Sequence, residues 1–335
     1  MDIPRSQRPV FVTGCHRSGT NLLYDNLLSA GGFAIYRGYL PVYETLIPRF
    51  GSLKKLVSRK QIVDTWLRSK GFARSGLEAE KLASQLVANC RTGGDFISIT
   101  MDAIANRQGV DRWAAYNPDN LLYLPLIKAE IPNALFVHMV RDGRDIALSL
   151  MKMGGFTPFA WSGAARGLEE TALYWEWTVR KGRRYGRLIQ DDYIEVHYED
   201  LVADPSSTLA KLSEFLDHDL NYERIRNERL GRLRETNSSF RGETTSEPQS
   251  PVNRWKQRLS SHEITALESL VGECLIEFGY PLTSFAEPPR LNLWQTGLGA
   301  TYHHFLDTKL WLKQHTRFGR LADLSVLELT EEIQG

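Results

Sequence analysis

The stretch richest in chemical possibility is Val12-Thr13-Gly14-Cys15-His16-Arg17-Ser18-Gly19-Thr20-Asn21. An apolar strand pattern runs into a tight glycine loop, and helical spacing begins at the end of the loop. Such a junction aims backbone N–H groups and the positive end of a helix at an anion. Ser18 and Thr20 add hydroxyl groups, and Arg17 adds a cation. A nucleotide kinase with this glycine spacing would continue with Lys and then Ser or Thr, for the β/γ-phosphates and Mg²⁺. Here those positions hold Thr20 and Asn21. The charge at the loop must then come from Arg17, which suits a metal-free transfer in which Arg17 neutralises a leaving phosphate. The plain alternative is a strand–helix turn with a chance glycine pair.

A second candidate is Val137 to Leu150, VHMVRDGRDIALSL, which reads as strand, charged turn and helix. Arg141 would sit at the C-terminal end of the strand. Ser149, about two helical turns on, can face the same side. A third is Tyr43-Glu44-Thr45-Leu46-Ile47-Pro48-Arg49, a helix start at which Glu44 reads on its own as a surface carboxylate. His16 lies inside the glycine loop, within reach of a transferred group, and is a candidate base. His138 and His197 alternate along apolar strands and read as core or supporting residues.

Together these segments resemble the PAPS-dependent sulfotransferases, whose donor is 3′-phosphoadenosine-5′-phosphosulfate. Gly14 to Thr20 resembles their 5′-phosphosulfate loop, G-x-x-[RK]-S-G-T. Val137 to Leu150 resembles their 3′-phosphate block, which implies phosphate contacts from Arg141 and Ser149. His197-Tyr198-Glu199-Asp200-Leu201 resembles the YEDL segment and implies Tyr198 beside the adenine. Arg254-Trp255-Lys256 resembles the last cofactor segment, with Arg241, Arg254 and Arg258 competing for the 3′-phosphate. The resemblance thus implies cofactor contacts from Arg17, Ser18, Gly19, Thr20, Asn21, Arg141, Ser149, Tyr198, Arg254 and Trp255, no metal, and PAP as product. Tyr43 to Arg49 resembles the E-T-x-x-I-P-R segment of tyrosylprotein sulfotransferases, which implies Glu44 as catalytic base with Arg17. One segment departs from the family. Where many bacterial members carry W-G-E-K-T-P, this chain has Trp113-Ala114-Ala115-Tyr116-Asn117-Pro118. If the missing Lys assists catalysis, this chain must do without it or use another cation.

The surrounding elements fit this chemistry. Residues 8–13, 33–36, 134–140 and 193–197 read as strands. Residues 18–30, 144–151, 205–216 and 261–278 read as helices, and helical patterns fill 61–107. Alternating strands and helices imply parallel βαβ units with helices on both sheet faces. The expected architecture is a three-layer α/β parallel sheet, the P-loop NTPase-like sulfotransferase fold, with a C-terminal helical appendage. Residues 1–284 form the expected sulfotransferase domain, and 285–335 a linker and appendage with helices over 301–315 and 321–333. Residues 237–253 read as a polar loop or lid.

The 335 residues are 42% hydrophobic and 24% charged, with a net charge of +1. This argues against a disordered or nucleic-acid-coating chain. Three cysteines without a CxxC pair argue against a disulfide scaffold or zinc site. The chain shows no export signal and no transmembrane run, so a reducing, cytoplasmic setting is expected. His303, His304 and His315 are not expected to bind metal, because adjacent histidines diverge on a helix. Residues 180–187 (RKGRRYGR) read as a solvated helix face, with docking of an acidic acceptor as the alternative. Trp161, Tyr174, Trp175 and Trp177 read as core.

Three functions remain open. The favoured one is a PAPS-dependent O-sulfotransferase acting on a hydroxyl of a glycan, a peptide tyrosine or a small alcohol or phenol. The others are a P-loop kinase and a PAPS- or PAP-binding protein without turnover.

Overall fold

The computed structural model describes residues 3–153, 167–228, 252–287 and 293–329. Trp161, Arg241 and most of the expected polar loop lie outside the described residues.

Five parallel strands form one sheet: β1 (Val10–Gly14), β2 (Phe33–Ala34), β3 (Arg112–Tyr116), β4 (Leu135–Val140) and β5 (Tyr193–His197). Their order is β2-β3-β1-β4-β5. β1 is central, with Val12 opposite Tyr116 on one side and Val137 on the other. β3 escaped the sequence reading because Arg-Trp-Ala-Ala-Tyr has no β-branched residue.

Strands β1 to β4 are buried on both faces, as a parallel sheet requires, and the edge strand β5 is half-buried. Phe11, Phe136 and Trp113 face one cluster, while Val10, Val12, Leu135 and Val137 face another. Helices α1 (Thr20–Ser29), α10 (Tyr198–Ala203), α11 (Pro205–Leu216) and α12 (Tyr222–Glu228) supply residues to the second cluster. The first is covered by α3 (Leu56–Leu67), α5 (Ala79–Asn89), α6 (Gly93–Gln108) and α7 (Leu124–Glu130). Short helices α2 (Ile47–Phe50) and α4 (Lys70–Ser75) complete that layer.

A third cluster lies beside β4. It is built from α8 (Gly143–Met151), α9 (Leu168–Gly186), α13 (Trp255–Arg258), α14 (Ser261–Glu277) and α15 (Leu293–His315).

Local chemistry sets the helix starts. Thr92 with Asp95, and Ser260 with Glu263, form capping boxes for α6 and α14. Asp204 caps α11 with Pro205 at its first position.

The C-terminal end differs from expectation. α15 begins at Leu293, inside the expected linker, and residues 321–329 form no second α-helix. After α15 the chain makes 3-10 turns at Arg317–Leu321 and Ser325–Leu327. Gly319 there sits against the Pro48 carbonyl, where an added Cβ would come within 2.8 Å. The 180–187 face is also less solvated than expected. Arg183 pairs with Glu195 at 2.5 Å and lies over the Phe278 ring at 3.4 Å, and Lys181 pairs with Asp307 of α15.

Candidate functional site

The C-terminal end of β1 feeds the glycine loop, and the loop is shaped by two left-handed residues, Arg17 at φ 74° and Gly19 at φ 91°. Ser18 closes it from within: its backbone N–H and its hydroxyl both donate to the Cys15 carbonyl, at 3.1 and 2.7 Å. Gly19 must be glycine for a second reason. A Cβ there would overlap the ring of Tyr198. Thr20 and Asn21 open α1. Tyr116 of β3, at the position where the W-G-E-K-T-P pattern has Lys, stacks on Tyr24 of α1 with ring centroids 5.5 Å apart.

β4 and α8 bring the second block to the same place. Arg141 Nη1 donates to the Arg17 carbonyl at 3.0 Å, and its guanidinium lies 4.4 Å from the Tyr198 ring centroid. Arg17 Nε donates to Ser149 Oγ at 3.0 Å. Arg17, Ser149, Arg141, Tyr198 and Gly19 therefore form one cluster, as the sequence suggested. Arg254, ahead of α13, joins it electrostatically. Its Nε is buried with no hydrogen-bond partner among the described residues. Burial first, and Arg141 next, hold the guanidinium of Arg254 below its ordinary range; burial, Arg141 and then Arg254 do the same to Arg17. Asp145 is the nearby acid, 3.7 Å from Arg141.

The RDGRD turn divides its labour. Arg141 faces the loop, whereas Arg144 is buried, bonded to Asp142 at 2.8 and 3.0 Å and to Glu268 at 2.6 Å. Trp255 belongs with that buried network. It is 1% exposed, its ring lies 3.8 Å from the Arg144 guanidinium, and its backbone N–H donates to Asp145 at 3.0 Å.

Glu44 lies in a π-helical turn, Val42–Leu46, just before α2. It is 5% exposed, so it is not a surface carboxylate. Its Oε1 accepts from the Tyr39 hydroxyl at 2.5 Å and from Asn117 Nδ2 at 2.7 Å. Its Oε2 is buried without a hydrogen-bond partner among the described residues. Burial, reinforced by Asp119, pushes the carboxyl up to about 7 despite these donors. Asp119 Oδ1 accepts from His16 Nε2 of the glycine loop at 3.0 Å. Burial opposes charge on both partners, yet their mutual attraction wins: the His16 imidazole is raised and the Asp119 carboxyl lowered.

Tyr39, Asn117 and Asp119 were missed in the sequence. The departure from W-G-E-K-T-P was the available signal, because Asn117 stands at its Thr position. His138 is fully buried, bonded to the Tyr193 hydroxyl at 2.6 Å, and burial lowers it to about 4. His197 is bonded to Tyr280 at 3.1 Å. Both are supporting residues.

A parallel sheet with a glycine loop at its central strand, and basic residues gathered from two flanking segments, defines an α/β protein of the P-loop-like class. A sequence profile of the sulfotransferase family matches residues 9–222, and the chain belongs to that family. A protein of Caenorhabditis elegans named "Putative protein-tyrosine sulfotransferase" is 27% identical over 116 residues, 34% of this chain and 43% of that protein. The chain thus spans less than half the length of that relative. Among solved structures, sulfotransferase STF1 from Mycobacterium tuberculosis H37Rv is 20% identical, with a TM-score of 0.42 over 66% of this chain and 70% of its own. The sulfotransferase domain of the Synechococcus PCC 7002 olefin synthase is 17% identical, with a TM-score of 0.46 over 88% and 93%. Among the described residues no helix is long and apolar enough to cross a membrane.

Proposed function

We propose that the chain is a PAPS-dependent O-sulfotransferase. The observation that carries this reading is the crowding of Arg17, Arg141 and Arg254, each close enough to depress or be coupled to another, around the glycine loop. Like charges held together in a half-buried cleft are stabilised by an anion that neutralises them. PAP and PAPS carry phosphates at both ends of the nucleoside and so fit a cluster drawn from two segments.

Arg17, Gly19, Thr20 and the start of α1 would hold the 5′ end. Arg141, Ser149 and Arg254 would hold the 3′-phosphate, with Tyr198 beside the adenine. Bound there, PAPS would supply an activated sulfuryl group. Arg17 then balances charge growing on the leaving phosphate. The arginines supply the positive charge that Mg²⁺ and Lys supply in kinases, so no metal is required.

Glu44 is the proposed base. A carboxyl at about 7 is poised to take a proton from an acceptor hydroxyl near neutral pH. His16, raised by Asp119, holds its proton more firmly and is better suited to donate hydrogen bonds than to remove one. The acceptor is a hydroxyl-bearing molecule. The buried thiols of Cys15, Cys90 and Cys274 fit a reducing, cytoplasmic setting. Residues 1–284 form the proposed catalytic domain, and 285–335 the appendage.

Thermal unfolding with PAP in EDTA tests the donor assignment. PAP at 100 times its Kd should add about 2.7 kcal/mol of stability, with no metal present. A shift only with ATP and Mg²⁺ would point instead to a kinase. A PAP shift with no sulfate transfer to any of a panel of glycans, peptides and phenols would favour a binding protein without turnover.

A further inference from the structure

Two short segments share an unusual composition. Residues 51–60 (GSLKKLVSRK) and 308–322 (TKLWLKQHTRFGRLA) hold eight Lys and Arg and no Asp or Glu, in a chain whose net charge is +1. They are also where apolar side chains reach solvent. Of the six described large apolar residues at least half exposed, five lie here: Leu56 at 50%, Val57 at 71%, Trp311 at 55%, Phe318 at 63% and Leu321 at 76%. Isolated exposed apolar residues need no explanation; this concentration does.

The fold brings the two segments to the same small helix. The 3-10 turn Arg317–Leu321 packs on α2 through Gly319 at Pro48, and Arg49 donates to the Arg320 carbonyl. At the other end of α2, Gly51 abuts Ser58 in the first turn of α3, the turn that holds Leu56 and Val57. Lys54 and Lys55 precede that turn, and Arg317 and Arg320 bracket Phe318; all four are exposed.

We propose that these segments form a docking surface for an anionic lipid bilayer. Exposed aromatic and aliphatic side chains alternating with Lys and Arg, with carboxylates only at the margins in Asp307, paired to Lys181, and Asp323, match the two layers of a membrane interface. The apolar groups enter the acyl boundary, and the cations meet lipid phosphates and carboxylates. Arg59 is buried against the Leu53 and Cys90 carbonyls; a second protein copy would bring the other seven positive charges against themselves, so charge complementarity favours the lipid. The surface adjoins the turn carrying Glu44, so docking places the acceptor side of the cleft near the headgroup layer. The inference is independent of the reaction assigned to that cleft.

Co-sedimentation of the full chain with vesicles tests it, using phosphatidylcholine alone and phosphatidylcholine with about 30% phosphatidylserine. Binding is expected to the second and to be weak with the first. Phe318→Ser/Leu321→Ser, Leu56→Ser/Val57→Ser and Lys54→Glu/Lys55→Glu should each lower the partition coefficient by roughly tenfold. Circular dichroism melting of each variant verifies that the fold is kept. Absence of wild-type binding to the serine-containing vesicles would overturn the proposal. So would loss on charge reversal without loss in either serine pair, which indicates diffuse attraction only. Light scattering that shows a dimer, converted to monomer by a serine pair, would assign the face to a second copy instead.

Discussion

Replacing Glu44 with Gln should stabilise the protein while disabling it. The carboxyl is 5% exposed and raised from 4.5 to about 7, chiefly by burial. A carboxyl whose folded pKa lies above its unfolded value binds more protons when folded, so its contribution to stability falls as pH rises between the two. The window here runs from about 4.5 to about 7. At pH 8 the ionised group costs about 3 kcal/mol, taking 1.36 kcal/mol for each of roughly 2.5 units. At pH 5 the cost is below about 1 kcal/mol. Gln is neutral, and its amide oxygen can still accept from Tyr39 and Asn117. Glu44→Gln should therefore raise stability by about 3 kcal/mol at pH 8 and by under about 1 kcal/mol at pH 5. Denaturant unfolding at the two pH values, without ligand, measures this and needs no acceptor. A variant less stable than wild type at pH 8, or equally shifted at both pH values, would contradict the account of Glu44 as a strained, buried carboxylate.

Further outcomes are expected. Glu44→Gln should lower sulfate transfer by roughly 10²–10⁴, while calorimetry finds PAP affinity nearly unchanged. Arg141→Ala should weaken PAP binding more than Ser149→Ala, by about 1.5–3 against about 0.5–1.5 kcal/mol; titration calorimetry on folded variants decides, and wild-type affinity in both would remove the 3′-phosphate assignment. Gly19→Ala should lose about 1–2 kcal/mol to left-handed strain alone, with a further loss from overlap with Tyr198, seen as a lower Tm and weaker PAP binding.

Most of the sheet was legible because β1, β4 and β5 carry apolar runs that precede helical spacing; β2 is shorter than its expected 33–36 range, at Phe33–Ala34. β5 coincides with its expected range, and β1 and β4 shift by a residue or two. β3 was not legible, since two alanines between aromatic ends read equally well in any element, and only pairing with β1 makes them a strand. The loop and the RDGRD block were legible as anion-binding residue types in sequence. Which arginine faces the loop was not. Arg141 and Arg144 differ because Asp142 and Glu268, 124 residues beyond Arg144, capture the second. The setting of Glu44 was equally hidden. Its burial depends on Tyr39 and on Asn117, which arrives from the end of β3.

The route of the C-terminal segment also sets an order of events during synthesis. Every proposed donor contact comes from residues up to Arg254, and the sheet is complete at His197. The contacts that brace α2 come later, from Gly319 and Arg320, and Leu329 bridges back to Ser69. Contacts of such sequence separation form late, because the intervening chain must first be ordered. A nascent chain would thus complete the half proposed to hold the donor while the support beneath the Glu44 turn is still unmade. On the proposed assignment, donor binding becomes an early landmark of folding rather than its last step.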